Sequence, residues 1–475
     1  MPTTPIMPML HRRRALSRIA CGFGATAAAA MLGEESMAAG VDPMAPRKPH
    51  FAPRAKRVIF LFLHGGISHV DTFDEKPELS KRNGQPVPFN KPDFEFAVTG
   101  NLLGSPWKFH SHGQSGVRIS ELFPRIGSVI DDICVVNSIS GGNEVSHGPA
   151  CLRLNTGDGV LNRPSLGAWT LYGLGSDIRD LPGFITICPT LAHGGVLNWG
   201  SAFLPAPYQG MPIGNASMSS KEAKVGHIRN PKWTTHQQRE QLDFLEQLNR
   251  GHLDGNAEAE ILEDRINSFE LAYRMQTAMP EVQDISRETE ATRKLYGLDD
   301  PVTEDFGRQC LMARRFSERG VRFVQVTHSD SKVQWDQHGN LRKGHAEKAS
   351  EVDKPIAGLL KDLKSRGLLN ETLVIWSGEF GRTPTVQGKG MDGRDHNPYG
   401  FTMWLAGGGV KPGFKYGATD DYGFYAERDK MHIHDFHATL LALLGMDHEK
   451  LTYRHAGDEF RLTNVFGNVA KEIFA

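Results

Sequence analysis

The chain has 475 residues, 39% of them hydrophobic, which supports a sizeable buried core and excludes a mostly disordered protein. Its 54 Lys and Arg against 55 Asp and Glu leave a formal net charge of −1, without the positive excess of a general nucleic-acid binder. Gly 51 and Pro 27 promise many turns and ordered loops. At the amino end, Arg12-Arg13-Arg14-Ala15-Leu16 precedes a small-residue apolar stretch from Ile19 to Leu32, followed by Ser36-Met37-Ala38-Ala39. A charged start, a short apolar core and small residues for cleavage are the layout of an export signal over residues 1–39. The arginine pair resembles the twin-arginine kind, and an uncleaved basic anchor is the alternative. Export implies a periplasmic or secreted protein with no stable membrane span once the signal is removed. Outside this segment no apolar run reaches the roughly eighteen residues of a spanning helix.

Residues 40–56, basic and rich in proline, read as a linker, and 57–475 read as one α/β domain with a helical insertion near 230–296. Val58 to Leu63 is a continuous apolar run, suited to a central parallel strand covered on both faces. Residues 132–138, 184–188, 321–327, 372–376 and 401–406 read as further buried strands. Between 232 and 295 the charged, helically periodic sequence predicts two or three amphipathic helices. Residues 347–365 predict another, with Val352, Ile356, Leu359, Leu360 and Leu363 on one side, and 434–444 a last one closed by Gly445. Strands alternating with helices predict an α/β fold with a mostly parallel central sheet flanked by helices. Cys134, Cys151, Cys188 and Cys310 fit no zinc knuckle, and are either one or two disulfides or buried thiols.

In such sheets ligands bind beyond the carboxyl ends of the strands, so the polar residues after each apolar run matter most. Three such segments are His64-Gly65-Gly66-Ile67-Ser68-His69-Val70-Asp71, Thr327-His328-Ser329-Asp330 and Ser377-Gly378-Glu379-Phe380-Gly381-Arg382. Carboxylates at all three and histidines at two suit a metal-dependent centre. Asp336 and His338, two apart before Gly339, project to one side of an extended chain and can share a cation. Asp395-His396-Asn397-Pro398 is a second such pair, and an incidental surface loop is the alternative for both. Glu379 follows a buried strand, where an acid is costly unless paired or metal-bound. Asp435, among His432, His434 and His437, reads first as an acceptor for a helix start. Ser146 and His147 open an apolar stretch and offer a hydroxyl or an imidazole nucleophile at a helix start; an N-cap serine beside a surface histidine is the alternative.

The stretch Leu369-Asn370-Glu371-Thr372-Leu373-Val374-Ile375-Trp376-Ser377-Gly378-Glu379-Phe380-Gly381 resembles the sulfatase segment in which a helix and strand lead to Ser-Asp-His-Gly. His64-Gly65 stands where alkaline-phosphatase-like enzymes carry Asp-Gly, and Leu154-Asn155-Thr156-Gly157 resembles the stretch behind their nucleophile. More closely, His64 to Asp74, Trp335-Asp336-Gln337-His338-Gly339, Gly378-Glu379-Phe380-Gly381-Arg382-Thr383-Pro384 and Asp395-His396-Asn397-Pro398 are similar to the exported sulfatase-like family labelled domain of unknown function 1501. That family lies in the alkaline phosphatase-like superfamily, and the resemblance covers nearly 50–470. It implies an alkaline phosphatase/sulfatase-like α/β fold, a divalent metal (zinc, calcium or manganese) and hydrolysis of an anionic small-molecule or carbohydrate ester of phosphate or sulfate.

Under the resemblance Asp336, His338 and His396 form one ligand set, and His64 or Asp71 with Glu379 a second. Ser146 or His147 falls at the nucleophile position, and Arg382 or Lys343 would hold the anion's oxygens. The chain departs from the sulfatase pattern where Glu379-Phe380 replaces Asp-His, and where the first strand ends in His64 rather than Asp. No Cys or Ser stands in the pattern that formylglycine formation requires. The alternative is a non-catalytic exported binding protein, with Trp199 and the loop from Phe203 to Tyr208 stacking on sugar rings. His64-Gly65-Gly66 also resembles a lipase oxyanion loop, but the chain holds no G-x-S-x-G nucleophile elbow.

Overall fold

Alternate side chains of the strand Arg57–Leu63 enter two different cores. Val58, Phe60 and Phe62 join one apolar cluster, and Ile59, Leu61 and Leu63 join the other. Burial on both faces is why this run lacks the alternation of a half-exposed strand. The computed structural model describes residues 42–91, 98–226, 228, 232–253, 259–330, 334–388 and 392–475, so the expected export signal lies outside the described residues. Among them, a nine-stranded sheet runs in the order Phe414–Tyr416, Ile133–Ser140, Phe401–Ala406, Thr372–Ser377, Arg57–Leu63, Phe323–His328, Phe184–Ile187, Met211–Ile213, with Met431–His432 added beside Ile133–Ser140. Every pairing is parallel except the two made by Phe401–Ala406. The expected α/β class, a mostly parallel sheet flanked by helices, is the one observed.

Helices Glu304–Glu318 and Leu341–Ser365 cover one face through Phe306, Cys310, Leu311, Val352, Ile356 and Leu359. Helices His147–Thr156, Leu166–Leu174 and Ile433–Leu443 cover the other, through Cys151, Leu154, Trp169, Phe436 and Leu440. Each such buried side chain contributes about 1.5–3 kcal/mol over leaving it exposed. Thr235–Leu253, Ala259–Gln283 and Glu290–Leu295 are the helices within 232–295. The helix expected from 347 begins at Leu341, because Leu341 and His345, four apart and both buried, extend the packed stripe. The last helix carries a capping box: Asp435 Oδ2 accepts from the His432 N–H at 2.9 Å, and the His432 ring accepts from the His434 N–H at 3.2 Å. Asp435 therefore serves a helix start, and Gly445, at φ +82°, turns the chain away after it. Cys134, Cys151, Cys188 and Cys310 are each free and buried, so none of these four is in a disulfide. No described helix is long and apolar enough to cross a membrane.

Candidate metal centre

Register sets the site. Leu63 lies opposite His328 and Phe62 opposite Ser377, so the residues just beyond, His64, Ser329 and Glu379, emerge together at the carboxyl edge of the sheet. Gly65, at φ +121°, lets the segment carrying Trp335 and Asp336 close onto that edge; a Cβ there would sit 2.6 Å from the Trp335 backbone nitrogen. The Gly65 N–H donates to both carboxylate oxygens of Glu379, at 3.0 and 3.1 Å. Trp335 is pinned in turn, its indole N–H donating to His328 Nδ1 at 3.0 Å, while His328 Nε2 lies 3.0 Å from Glu351 on helix Leu341–Ser365. His396 arrives on the strand Arg394–Asn397, paired with Gly381–Gln387 so that it stands opposite Arg382.

Asp336 joins these segments. Its Oδ1 lies 2.9 Å from His338 Nε2, 3.2 Å from His396 Nε2 and 2.5 Å from Arg382 Nη2, and its Oδ2 lies 3.3 Å from His147 Nε2. His147 Nδ1 then reaches Glu379 Oε1 at 2.5 Å. Donor atoms of His147, Asp336 and His396 lie within 4.8 Å of one another, as do those of His64, Cys151 and Glu379. His64 contacts Ser329 Oγ through Nδ1 at 2.9 Å and His193 Nδ1 through Nε2 at 3.0 Å.

The electrostatics fit a cation. Burial pushes His64 and His396 down to about 4, so both imidazoles are neutral near pH 7. His396 Nδ1 lies 2.6 Å from the Val145 carbonyl, which can only accept, so the ring proton sits on Nδ1. Its Nε2 therefore directs a lone pair at a carboxylate oxygen of Asp336, a repulsive contact that a cation between them reverses. His338 Nδ1 is buried without a hydrogen-bond partner among the described residues. Burial alone would lower His147, but its contacts with Asp336 and Glu379 raise it. Burial would lift Glu379, yet the His147 bond and the charges of His147 and His64 hold it at about 2. Asp336 resists the same burial through His147, His338, His396 and Arg382, and stays well below the usual carboxylate range. Two neutral imidazoles, His64 and His396, beside the ionised carboxylates of Asp336 and Glu379 are donors that suit a divalent cation such as zinc or manganese.

The structure thus brings together His64, His147, Asp336, His338, Glu379, Arg382 and His396. Asp71 is elsewhere: its two oxygens take Arg394 at 2.7 and 3.0 Å, and Oδ2 also accepts from Ser68 Oγ at 2.5 Å, so the expected ligand role falls to a buried ion pair. Arg382 is not a free anion holder. Fully buried, it donates to the carbonyls of Gly66 at 2.7 Å, Arg394 at 3.1 Å and Gly65, as well as to Asp336. Lys343 is exposed and faces Glu347 at 3.8 Å. Ser146 is the half-buried N-cap of helix His147–Thr156 and makes no side-chain capping bond, while His147 is buried, not on the surface. Trp199 and Tyr208 are buried, and Phe203 packs on Tyr453, His455 and Phe460, so these aromatics are not a sugar-stacking surface.

Sequence reasoning missed His193 and Cys151. The segment Ala192-His193-Gly194-Gly195 follows the buried strand Phe184–Ile187, so the rule applied to three other strand ends would have found the histidine. Cys151, four residues after His147 on one helix face, carried no separate signal.

Solved structures that are similar include the following three. A sulfatase from Pseudoalteromonas sp. is 14% identical over 83% of this chain and 69% of that one, with a TM-score of 0.35. A phosphonate monoester hydrolase from Silicibacter pomeroyi is 11% identical over 68% of each chain, with a TM-score of 0.34. A protein in the alkaline phosphatase superfamily from Vibrio parahaemolyticus is 10% identical over 89% of this chain and 74% of that one, with a TM-score of 0.32. No curated protein matches by sequence. The family described as "Protein of unknown function (DUF1501)" matches residues 55–474, and the chain belongs to that family.

Proposed function

We propose that this protein is an exported, metal-dependent hydrolase of phosphate or sulfate esters. The observation that carries the reading is Asp336, whose carboxylate faces three imidazoles at the carboxyl edge of a parallel sheet, one of them with its proton directed away. Asp336, His338, His396 and His147 would hold the cation, which when bound polarises the ester and neutralises charge on the transferring group. Glu379 orients His147 by accepting a hydrogen bond from its Nδ1–H, the arrangement by which carboxylates commonly fix ligating histidines. Arg382 fixes the other side of Asp336. His147 opens helix His147–Thr156, so the positive end of that helix points toward the anion's site. With both His147 nitrogens facing carboxylates, Ser146 is the group proposed to attack the phosphorus or sulfur: its Oγ bond forms as the bond to the ester's alcohol oxygen breaks, the hydroxyl proton passes to water, and a second water then releases the phosphate or sulfate.

The test is a panel of aryl phosphate and sulfate esters with added zinc, manganese or calcium. Turnover by the wild type should fall on the order of a hundredfold or more in Ser146→Ala and in Glu379→Gln. Measurable turnover untouched by both substitutions and by His147→Ala would remove the assignment. Phe380 supports the second reading, a cation-dependent binding protein: its buried ring stacks on His396 at 4.4 Å, in a place where the superfamily pattern has a nitrogen ligand. Metal content without turnover on any ester would select that reading. Export is tested separately, since Arg13→Lys with Arg14→Lys should trap the precursor in the cytoplasm.

A further inference from the structure

The strand Phe184–Ile187 has a different feature at each end. His193 follows it toward the Asp336 centre, while Leu181 and Pro182, which lead into it, border a cleft of about 380 Å³. Met211, paired with Ile185 in parallel register, lines the same cleft, which therefore opens at the amino edge of the sheet. No residue of the proposed centre lines it. Its other walls come from the segment 42–46 and from helix Ala259–Gln283. Ile178, Met211, Val225 and Leu271 pack on the core with part of their surface and line the cleft with the rest. Half-covered apolar side chains around a concave volume of this size are the usual make-up of a small-molecule site.

The charges at the rim are unevenly matched. Both oxygens of Glu270 are taken by Arg239, which leaves Arg274 Nη2 3.7 Å from Oε2, beyond a hydrogen bond. Asp42, the other carboxylate of the lining, accepts from the Met44 N–H at 2.9 Å. Arg179 is exposed and has no carboxylate partner among the described residues. Two guanidiniums with unused donors thus border apolar walls.

We infer that this cleft binds an amphiphilic carboxylate, a molecule with one apolar chain and one anionic head, such as a free fatty acid. The chain covers the half-exposed side chains of the walls, and the planar head takes the paired donors of Arg179 and Arg274. Lying at the opposite edge of the sheet, the site requires neither the cation nor the ester turnover of the proposed centre.

Titration calorimetry of the full-length protein with decanoate, decanol and acetate tests this. Decanoate should bind, and decanol, lacking the charge, should bind about tenfold or more weakly. Acetate, which has the head alone, should not displace decanoate, and this separates the cleft from any carboxylate bound at a cation. Arg179→Gln with Arg274→Gln, both at exposed positions, should reduce decanoate to the affinity of decanol. Leu271→Trp, which fills the cleft, should abolish binding of both probes; if it does not fold, the arginine pair carries the test. A wild type that does not bind decanoate, or an affinity unchanged in the arginine pair, overturns the inference. Binding that survives in folded Leu271→Trp places the amphiphile elsewhere and overturns it as well. Binding that appears only once residues 1–39 are removed makes the chain's own start the occupant. A wild-type dimer that Leu271→Trp dissociates, without decanoate binding, makes it a second copy. Either result overturns the inference.

Discussion

Arg382 shows how much of a site lies in residues that never meet the substrate. Its guanidinium donates to four backbone carbonyls, those of Gly65, Gly66, Trp335 and Arg394, and to one carboxylate at a point with no access to water. Replacing it with Met should leave those acceptors unpaired and Asp336 without its fixed cation. We expect a loss of about 3–5 kcal/mol, read as a lowered midpoint in urea unfolding; a midpoint within error of wild type would show that water takes over the role. His338→Ala should keep the fold and weaken cation binding by tenfold or more, measured by competition with a chelator. At this scale the sequence was legible for Asp336 with His338, which lie in contact, and for His396 beside them, whereas Asp395 of the second pair accepts from the His396 N–H. It was not legible for Asp71 and Arg382, because a carboxylate or guanidinium looks the same in sequence whether its partner is a ligand or another buried charge. Arg394, which takes Asp71 away from the centre, lies far along the chain from it.

At the scale of elements, the strands were the most readable parts, since each is an apolar run covered on both faces. Phe401–Ala406 was placed correctly as a strand, but nothing in its composition told that it runs antiparallel between Ile133–Ser140 and Thr372–Ser377. Direction is decided by connections, and those are tertiary. Helix starts were less readable: Asn340, at φ +54°, leads into Leu341–Ser365 with no side-chain cap, so the usual signal was missing. The turn at Gly65 is the element on which the centre depends. Gly65→Ala would force a side chain into a left-handed conformation and against the Trp335 backbone. The expected outcome is a cost of at least about 1–3 kcal/mol together with a shifted Trp335 fluorescence, and an unaltered emission spectrum would show that the 334–338 segment tolerates the group. Asp435→Ala should cost about 1 kcal/mol by thermal denaturation, through loss of the capping box, with cation binding unchanged.

At the scale of the whole molecule, buried histidines make the fold sensitive to acid. Burial pushes His345 and His437 down to about 3 from an ordinary 6.5, so the unfolded chain takes up their protons first. Their neutral burial is without penalty above pH 6.5, and stability is lost as the pH falls from there toward 3. The slope is about 1.4 kcal/mol per pH unit for each. Glu379, held at about 2 against an ordinary 4.5, adds to the loss below pH 4.5, because its favourable ionised contacts disappear as it protonates. Urea midpoints of the metal-free protein should therefore fall steeply below pH 6.5, and a flat profile between pH 6.5 and 4 would show that these rings are hydrated in solution.

The residues around Asp336 are drawn from His64 near one end of the chain to His396 near the other, and His396 is placed by a strand that pairs only with Gly381–Gln387 among the sheet partners observed. A chain still being synthesised has His64 and His147 long before it has anything to complete them. For the proposed centre, the full ligand set would therefore exist only once the strand carrying His396 has docked. Occupancy of that centre would become a record of time: a truncated or stalled chain would stay empty however much of its sheet has formed.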